Sequence, residues 1–335
     1  MSKTFPVFLV IFIFLHLNLR SKQLTEINEQ IYARNLNEFF IFLKQTCSSQ
    51  ELFKNLTKHS SYPKFGTLNN WKDICRKVVS KKIYSSNFIK KNFKLISIQK
   101  KHGLLTGYYE PLIEVSRIKN NDYKFPILKF DKKFIGMPRK SINTEYTNND
   151  VLLWTNNKID LFFLQIQGSG IGIFPDNKKV KILYSGNNEK KYSSIGKLLI
   201  KNNLIKKNNI SLFSIKKYLR NNENKIDEIF NYNERYIFFN VDEYNENSAY
   251  GALGLNLMPR VSIAVDKEYY PLGLPFLGIT NNLNTSFLGI ASDTGSAIIG
   301  PNRADLFTGR GKFAEKIAGN LKKKLILYAL VPYSD

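Results

Sequence analysis

Two aspartates, Asp293 and Asp305, stand twelve residues apart in the run A-S-D-T-G-S-A-I-I-G-P-N-R-A-D-L-F, residues 291–307. A carboxyl group can deliver and retrieve a proton, provided that its environment keeps it protonated near neutral pH. Asp305 is followed by Leu306 and Phe307, and burial beside apolar side chains favours the neutral acid. The bland alternative is that Asp305 caps a turn or pairs with Arg303, two residues before it. Histidine is scarce: His16, His59 and His102 are the three in the chain, and the C-terminal half has none. A Ser-His-Asp triad, a Cys-His dyad or a histidine-rich metal site therefore has no material there. Chemistry in that half must rest on carboxylates, lysine, tyrosine or backbone dipoles.

The tripeptide Asp293-Thr294-Gly295 also resembles the catalytic loop of pepsin-like aspartic proteases. That chemistry needs a pair of such loops, because two carboxylates must share one proton over one water. This chain carries one copy, so the peptidase reading is rejected. Read without it, Asp293 ends a strand, Gly295 and Gly300-Pro301 turn the chain, and Asp305 follows.

The elements that must position these groups are mostly strands. Short β-branched and aromatic runs broken by Gly, Pro and Asn are expected as strands at 104–111, 125–130, 151–155, 159–170, 179–186, 236–240, 260–266, 287–293 and 324–330. Helical periodicity appears at 25–46, at 69–83 around Trp71, Ile74 and Val78, and in a block at 193–230. Strands that do not alternate with helices favour closed or sandwich-like β structure. The expected class is mainly β with accessory helices (α+β).

The 335 residues suffice for two domains, and 43% hydrophobic and 13% aromatic content excludes global disorder. The net charge of +23 comes from lysines scattered among asparagines and isoleucines. That mixture reads as AT-rich coding, with attraction to an acidic polymer as a second contributor. No zinc knuckle or RNA-binding aromatic motif supports a nucleic-acid partner. Cys47 and Cys75 form no C-x-x-C; they either pair in an oxidising compartment or remain buried thiols. Residues 5–19, between Lys3 and Arg20, form an apolar run of signal-peptide length. It is read as an export leader over 1–22, either cleaved or retained as an anchor, and no cysteine follows it for lipid attachment.

Five segments together carry a family resemblance. D-T-G-S-A-I-I-G-P-N-R-A-D-L-F-T-G-R-G and S-I-A-V-D-K-E-Y-Y-P-L-G-L-P (262–275) resemble the 3D domain, named for three aspartates. T-G-Y-Y-E-P (106–111), F-L-Q-I-Q-G-S-G (163–170) and Y-S-S-I-G-K-L-L-I (192–200) resemble the MltA family of membrane-bound lytic murein transglycosylases. The resemblance spans roughly residues 100–335. It implies a double-psi β-barrel interrupted by an inserted second β-barrel domain, with a glycan strand in the groove between them. The implied boundaries are 23–110 plus 237–335 for the first domain, with the N-terminal helices, and 111–236 for the insert.

The implied activity is cleavage of peptidoglycan strands without water, in the periplasm and by family resemblance at the outer membrane, with no metal or organic cofactor. On this reading Asp305 is the catalytic acid, Asp293 a supporting carboxylate whose charge raises the Asp305 pKa, and Asp266 a structural or site aspartate. Thr106, Tyr108, Tyr109, Glu110, Gln165, Gln167 and Ser169 become groove candidates, the tyrosines being equally readable as core and the glutamines as a polar strand face. Two rivals remain: a non-catalytic, expansin-like wall-polysaccharide binder, and a glycoside hydrolase that uses both aspartates.

Overall fold

The computed structural model describes residues 35–80, 85–99, 101–282 and 285–333. The apolar run, the expected leader and the first part of the expected 25–46 helix lie outside them. Four helices come first: α1 (Leu36–Ser48), α2 (Glu51–Lys58), α3 (Leu68–Ser80) and α4 (Ser86–Asn92). α1 buries Phe39, Phe40, Phe42, Leu43 and Cys47, the three-to-four-residue spacing of one helix face. A disulfide joins Cys47 to Cys75 on α3, which closes the alternative that the sequence leaves open. Asn35 anchors the helical layer. Its Nδ2 donates to the Leu288 and Arg260 carbonyls at 2.8 and 3.0 Å, and its Oδ1 accepts from the Leu288 amide.

The helices pack on a barrel. Strands β1 (Phe93–Ile96), β2 (Gly103–Glu110), β9 (Ser262–Val265), β10 (Pro275–Thr280), β11 (Phe287–Asp293), β12 (Arg303–Arg310) and β13 (Lys322–Pro332) form one sheet in the order β1-β13-β10-β11-β9-β12-β2. β13 also pairs with β2, from Lys322 opposite Thr106 to Leu325 opposite Gly103, so six of the seven strands close on themselves. Two pairs are parallel, β11 with β9 and β12 with β2. Leu105, Ala304 and Val265 share one row and are fully buried with Ile263, Leu325 and Leu327 in a core continuous with Phe40 and Trp71. The helix α10 (Gly311–Asn320) lies against β2. Gly107 permits this, since a Cβ there would come within 2.8 Å of the Ala318 Cα.

Between β2 and β9 the chain builds a second sheet from β3 (Leu112–Ser116), β4 (Phe125–Leu128), β5 (Val151–Thr155), β6 (Gly170–Ile173), β7 (Lys179–Asn187) and β8 (Ile237–Glu243). Its order is β4-β5-β3-β6-β7-β8. A bridge from Lys129 to Phe239 brings its outer strands together. Helices α5 (Arg139–Glu145), α6 (Lys158–Gln167), α7 (Ile195–Lys201), α8 (Leu212–Arg220) and α9 (Ile226–Asn231) surround this sheet. The architecture is thus mixed α+β and strand-rich, with accessory helices.

One expected strand is a helix. Residues 158–167 form α6, capped by the Asn157 side chain, which accepts from the Ile159 and Asp160 amides, and ended by Gly168 at φ +86°. The run I-D-L-F-F-L-Q-I-Q is apolar nearly all round because it is packed on two sides. Leu161 and Leu164 face the second sheet, and Ile159, Phe162 and Phe163 face α7–α9. A continuous apolar run hides its period, so strand and helix read alike.

Candidate active site

The twelve-residue spacing of the two aspartates has a structural cause. Asp293 is the last residue of β11 and Asp305 the third of β12, and both strands flank β9. Asp293 pairs with Ala264 from one side, across a bulge, and Asp305 pairs with Ala264 from the other. Thr106 of β2 continues the row beyond Asp305. Paired residues point to the same face, so Asp293, Ala264, Asp305 and Thr106 lie side by side on the outside of the barrel. The neighbouring row, Val265, Ala304 and Leu105, points into the core. Two strand spacings put the aspartate Cα atoms about 10 Å apart, with the small Ala264 between them.

The connection between the aspartates is held rigidly. Asp266, just after β9, accepts from the Gly300 amide at 2.7 Å through Oδ2 and from the Glu268 amide at 3.0 Å through Oδ1. Tyr270 donates its hydroxyl to the Pro301 carbonyl at 2.7 Å. The buried Asn302 donates to the Gln99 and Lys101 carbonyls and accepts from the Leu327 amide, while its carbonyl accepts from the Leu104 amide. Asp266 therefore braces the loop that delivers β12. Asn302 escapes a reading of sequence because a lone asparagine in G-P-N-R looks like an ordinary turn.

Asp305 Oδ1 accepts from the Thr106 hydroxyl. Arg303 donates to that same hydroxyl oxygen at 2.8 Å and to the Leu104 and Ala304 carbonyls. Burial pushes the Asp305 carboxyl above the usual carboxylate range, against the opposing pull of Arg303 and the Thr106 hydrogen bond. Asp293 is more fully held. Its Oδ1 accepts from the Ala252 and Thr294 amides at 3.1 and 2.9 Å, and its Oδ2 accepts from the Tyr108 hydroxyl at 3.1 Å. Burial still raises it to about 6, the three donors pull it back, and the Asp305 charge adds to the rise. The upward push on Asp305 thus comes from desolvation, as its apolar neighbours suggest, and not from the Asp293 charge that the family reading adds. Tyr108 stacks at a tilt on Phe307, with centroids 5.3 Å apart. Its hydroxyl is kept neutral by burial and by both aspartates.

The loop after β7 brings Tyr192 near enough to Asp305 for that charge to raise the phenol, after burial and against a hydrogen bond with Ser194. Tyr192 lies in the Y-S-S-I-G segment, which carries a family resemblance but no residue type that flags chemistry by itself.

The remaining groove candidates separate. Tyr109 points away from the row into a cluster with Ala314 and Ala318. Alternation on β2 puts adjacent residues on opposite faces, so only one tyrosine of the pair can face the cleft. Glu110 is 1% exposed and pairs with Arg310 at 3.2 Å. Gln165 is buried against Arg139. Gln167 Oε1 accepts from the Tyr109 amide at 3.0 Å. A strand would have placed Gln165 and Gln167 on one face; on α6 they diverge by about 200°. Ser169 is half-buried between α6 and β6.

Comparison with known proteins matches these elements. Residues 135–240 match the MltA specific insert domain, and residues 261–331 match the 3D domain. A membrane-bound lytic murein transglycosylase A homolog of Buchnera aphidicola subsp. Schizaphis graminum is 34% identical over 231 residues, 64% of this chain and 62% of the relative. The chain belongs to the MltA family. A membrane-bound lytic murein transglycosylase A of Vibrio cholerae is 32% identical over 65% of this chain and 62% of its own. The match thus spans about three fifths of each of these relatives' lengths. Among solved structures, MltA from Neisseria gonorrhoeae aligns with a TM-score of 0.67 at 26% identity, covering 88% of this chain and 89% of its own. E. coli MltA with bound chitohexaose aligns with a TM-score of 0.73 over 91% of each chain at 22% identity, a likeness of fold.

Proposed function

We propose that the chain is a lytic transglycosylase that cleaves the β-1,4 bond between N-acetylmuramic acid and N-acetylglucosamine in peptidoglycan. The observation that carries this reading is the inequality of the two aspartates. Asp293 has both oxygens committed to three donors, whereas Asp305 has one oxygen held by Thr106 and no partner on the other among the described residues. Such a pair supplies one working acid and one fixed charge. A glycosidase that hydrolyses needs two working carboxylates. A transglycosylase needs one, because the sugar provides its own nucleophile.

In this reading Asp305 gives its proton to the glycosidic oxygen, and the bond from that oxygen to the muramic acid C1 breaks. The C6 hydroxyl oxygen of the same sugar bonds to C1, and its proton passes to Asp305. The acid is restored, no water is consumed, and the product is a 1,6-anhydro end. Asp293 and Tyr108 fix the floor of the cleft, Asp266 braces the loop, and Tyr192 faces the substrate from the insert. The expected division, 23–110 with 237–335 as one domain and 111–236 as the insert, agrees with the sheets among the described residues except at its second boundary: β8 (Ile237–Glu243) pairs with β7 and belongs with the insert.

The substrate class is supported by the relatives' names, and the structure of E. coli MltA, which shares this fold, has chitohexaose bound. Export to the periplasm, with association to the outer membrane, is supported by the disulfide and by those membrane-bound relatives. No helix among the described residues is long and apolar enough to cross a membrane, so the reading places any anchor in the leader. Mass spectrometry of digested sacculi tests the chemistry. Products lighter by one water than those of a lysozyme are expected; hydrated reducing ends would favour the two-aspartate hydrolase, and no products the wall binder.

A further inference from the structure

The hydrogen bonds around Asp305 have a direction. Arginine carries donors and no acceptor. Arg303 Nη2 donates to Thr106 Oγ1 at 2.8 Å, so that oxygen acts as acceptor toward Arg303 and its own hydrogen is free to point elsewhere. It points to Asp305 Oδ1. Arg303 makes no ion pair with Asp305 within 4.0 Å among the described residues, and its other bonds go to the Leu104 and Ala304 carbonyls. The guanidinium is therefore locked by backbone, and it reaches the acid both by its charge and by a hydrogen bond relayed through the threonine.

Resting on the transglycosylase reading above, we infer that Arg303 and Thr106 are positioning residues which reserve Asp305 Oδ1 as a hydrogen-bond acceptor and thereby keep the transferable proton on Oδ2. An oxygen that accepts from Thr106 is a poor place for the acid's own hydrogen, which would meet the hydroxyl hydrogen head-on. Among the described residues Oδ2 has no hydrogen-bond partner, and it is not among the enclosed unbonded atoms, so it is the oxygen left accessible. In the second half of the reaction the same arrangement leaves Oδ2 as the oxygen that receives the C6 proton. The charged and titratable groups around Asp305 are Arg303 on its own strand, Tyr108 on β2, Asp293 on β11 and Tyr192 from the insert. Of these, Arg303 alone is cationic, and Thr106 stands between it and the acid.

The experiment compares Thr106→Val, Thr106→Ser and Arg303→Lys with the wild type and Asp305→Asn, using purified peptidoglycan glycan strands and pH profiles of kcat and KM. Thr106→Val keeps the shape and removes the hydroxyl. It should lower kcat by about ten- to a hundredfold while KM changes less than about threefold. It should also move the alkaline limb of the profile upward, because a donor to the ionised acid is lost. Thr106→Ser should restore both. Arg303→Lys should shift both in the same direction, since a lysine cannot hold three acceptors in one plane, and this variant decides the matter if Thr106→Val fails to fold. Wild-type kcat and limb in Thr106→Val, or a change confined to KM, overturns the relay while an inactive Asp305→Asn leaves the transglycosylase reading standing. An active Asp305→Asn removes both.

Discussion

Each of the two sheets carries a polar cluster that folding takes out of water, and the clusters are used in opposite ways. In the insert, Arg139 of α5 is 4% exposed. Its Nε donates to the Asn233 carbonyl at 2.8 Å, and its two terminal nitrogens donate to Gln165 and to the Arg235 carbonyl. The guanidinium lies 4.9 Å from the rings of both Phe162 and Tyr236. Burial pulls it down to about 10, still charged at neutral pH, and each of its three nitrogens donates to a protein oxygen. On the barrel, Asp305 has one oxygen bound and one open. A fully partnered buried group ties chain segments together, whereas a half-partnered one is available for reaction at some expense of stability. The difference between these two clusters lies in accessibility: the Arg139 donors are enclosed with their acceptors, whereas Asp305 keeps one oxygen that is neither bonded nor enclosed.

The largest expected effect is an exchange of signatures between these clusters. Asp305→Asn should cut turnover by about a thousandfold, as expected for loss of a general acid. It should leave the melting temperature unchanged or higher, because it removes a buried ionisable group. Arg139→Met should do the reverse. It strips donors from three buried acceptors and should destabilise by about 2–4 kcal/mol, while activity per folded molecule stays within about twofold. Calorimetry beside product release measures both; a catalytic defect in folded Arg139→Met would erase the distinction drawn here.

The strands of the two sheets were about equally legible in sequence. Those expected at 104–111 and 287–293 are Gly103–Glu110 and Phe287–Asp293 of the barrel, and those expected at 125–130, 151–155 and 179–186 are Phe125–Leu128, Val151–Thr155 and Lys179–Asn187 of the insert. The aspartates stand out because carboxylates near apolar residues are conspicuous. β12 was missed because R-A-D-L-F-T-G-R turns polar residues to the cleft, so its apolar face is thin. α6 was misread because packing on two sides makes it apolar all round. That error carried Gln165 and Gln167 into the groove. The roles of Thr106 and Arg303 depend on pairing between residues about two hundred positions apart, which no local pattern encodes.

A smaller effect separates the two aspartates by pH. The folded Asp293 titrates near 6, above its ordinary 3.8. A raised carboxyl contributes stability that is complete below the unfolded value and is lost as pH rises through the folded value. Between pH 4 and pH 7 the wild type should therefore lose up to about 3 kcal/mol relative to Asp293→Asn, less whatever solvent screens. Urea unfolding at both pH values measures it. Parallel curves would mean that the three donors, rather than burial, control this carboxylate.

The smallest effect tests the alternation of β2 with one atom at each of two adjacent positions. Tyr108 gives its hydroxyl to Asp293 at 3.1 Å, and that bond favours the ionised aspartate. Tyr109 lies on the other face among Ala314 and Ala318, where its hydroxyl meets Glu315. Each Phe variant removes one hydroxyl and should cost about 1 kcal/mol of stability. Only Tyr108→Phe should reach the chemistry, lowering turnover about three- to tenfold, because Asp293 loses the donor on the oxygen that faces the cleft. Tyr109→Phe should remain within about twofold of wild type, since its partner sits behind the sheet. Equal activity losses in the two variants would mean that the cleft reads both faces of β2, and then the row from Asp293 to Thr106 could not be what sets apart the reactive side of the barrel.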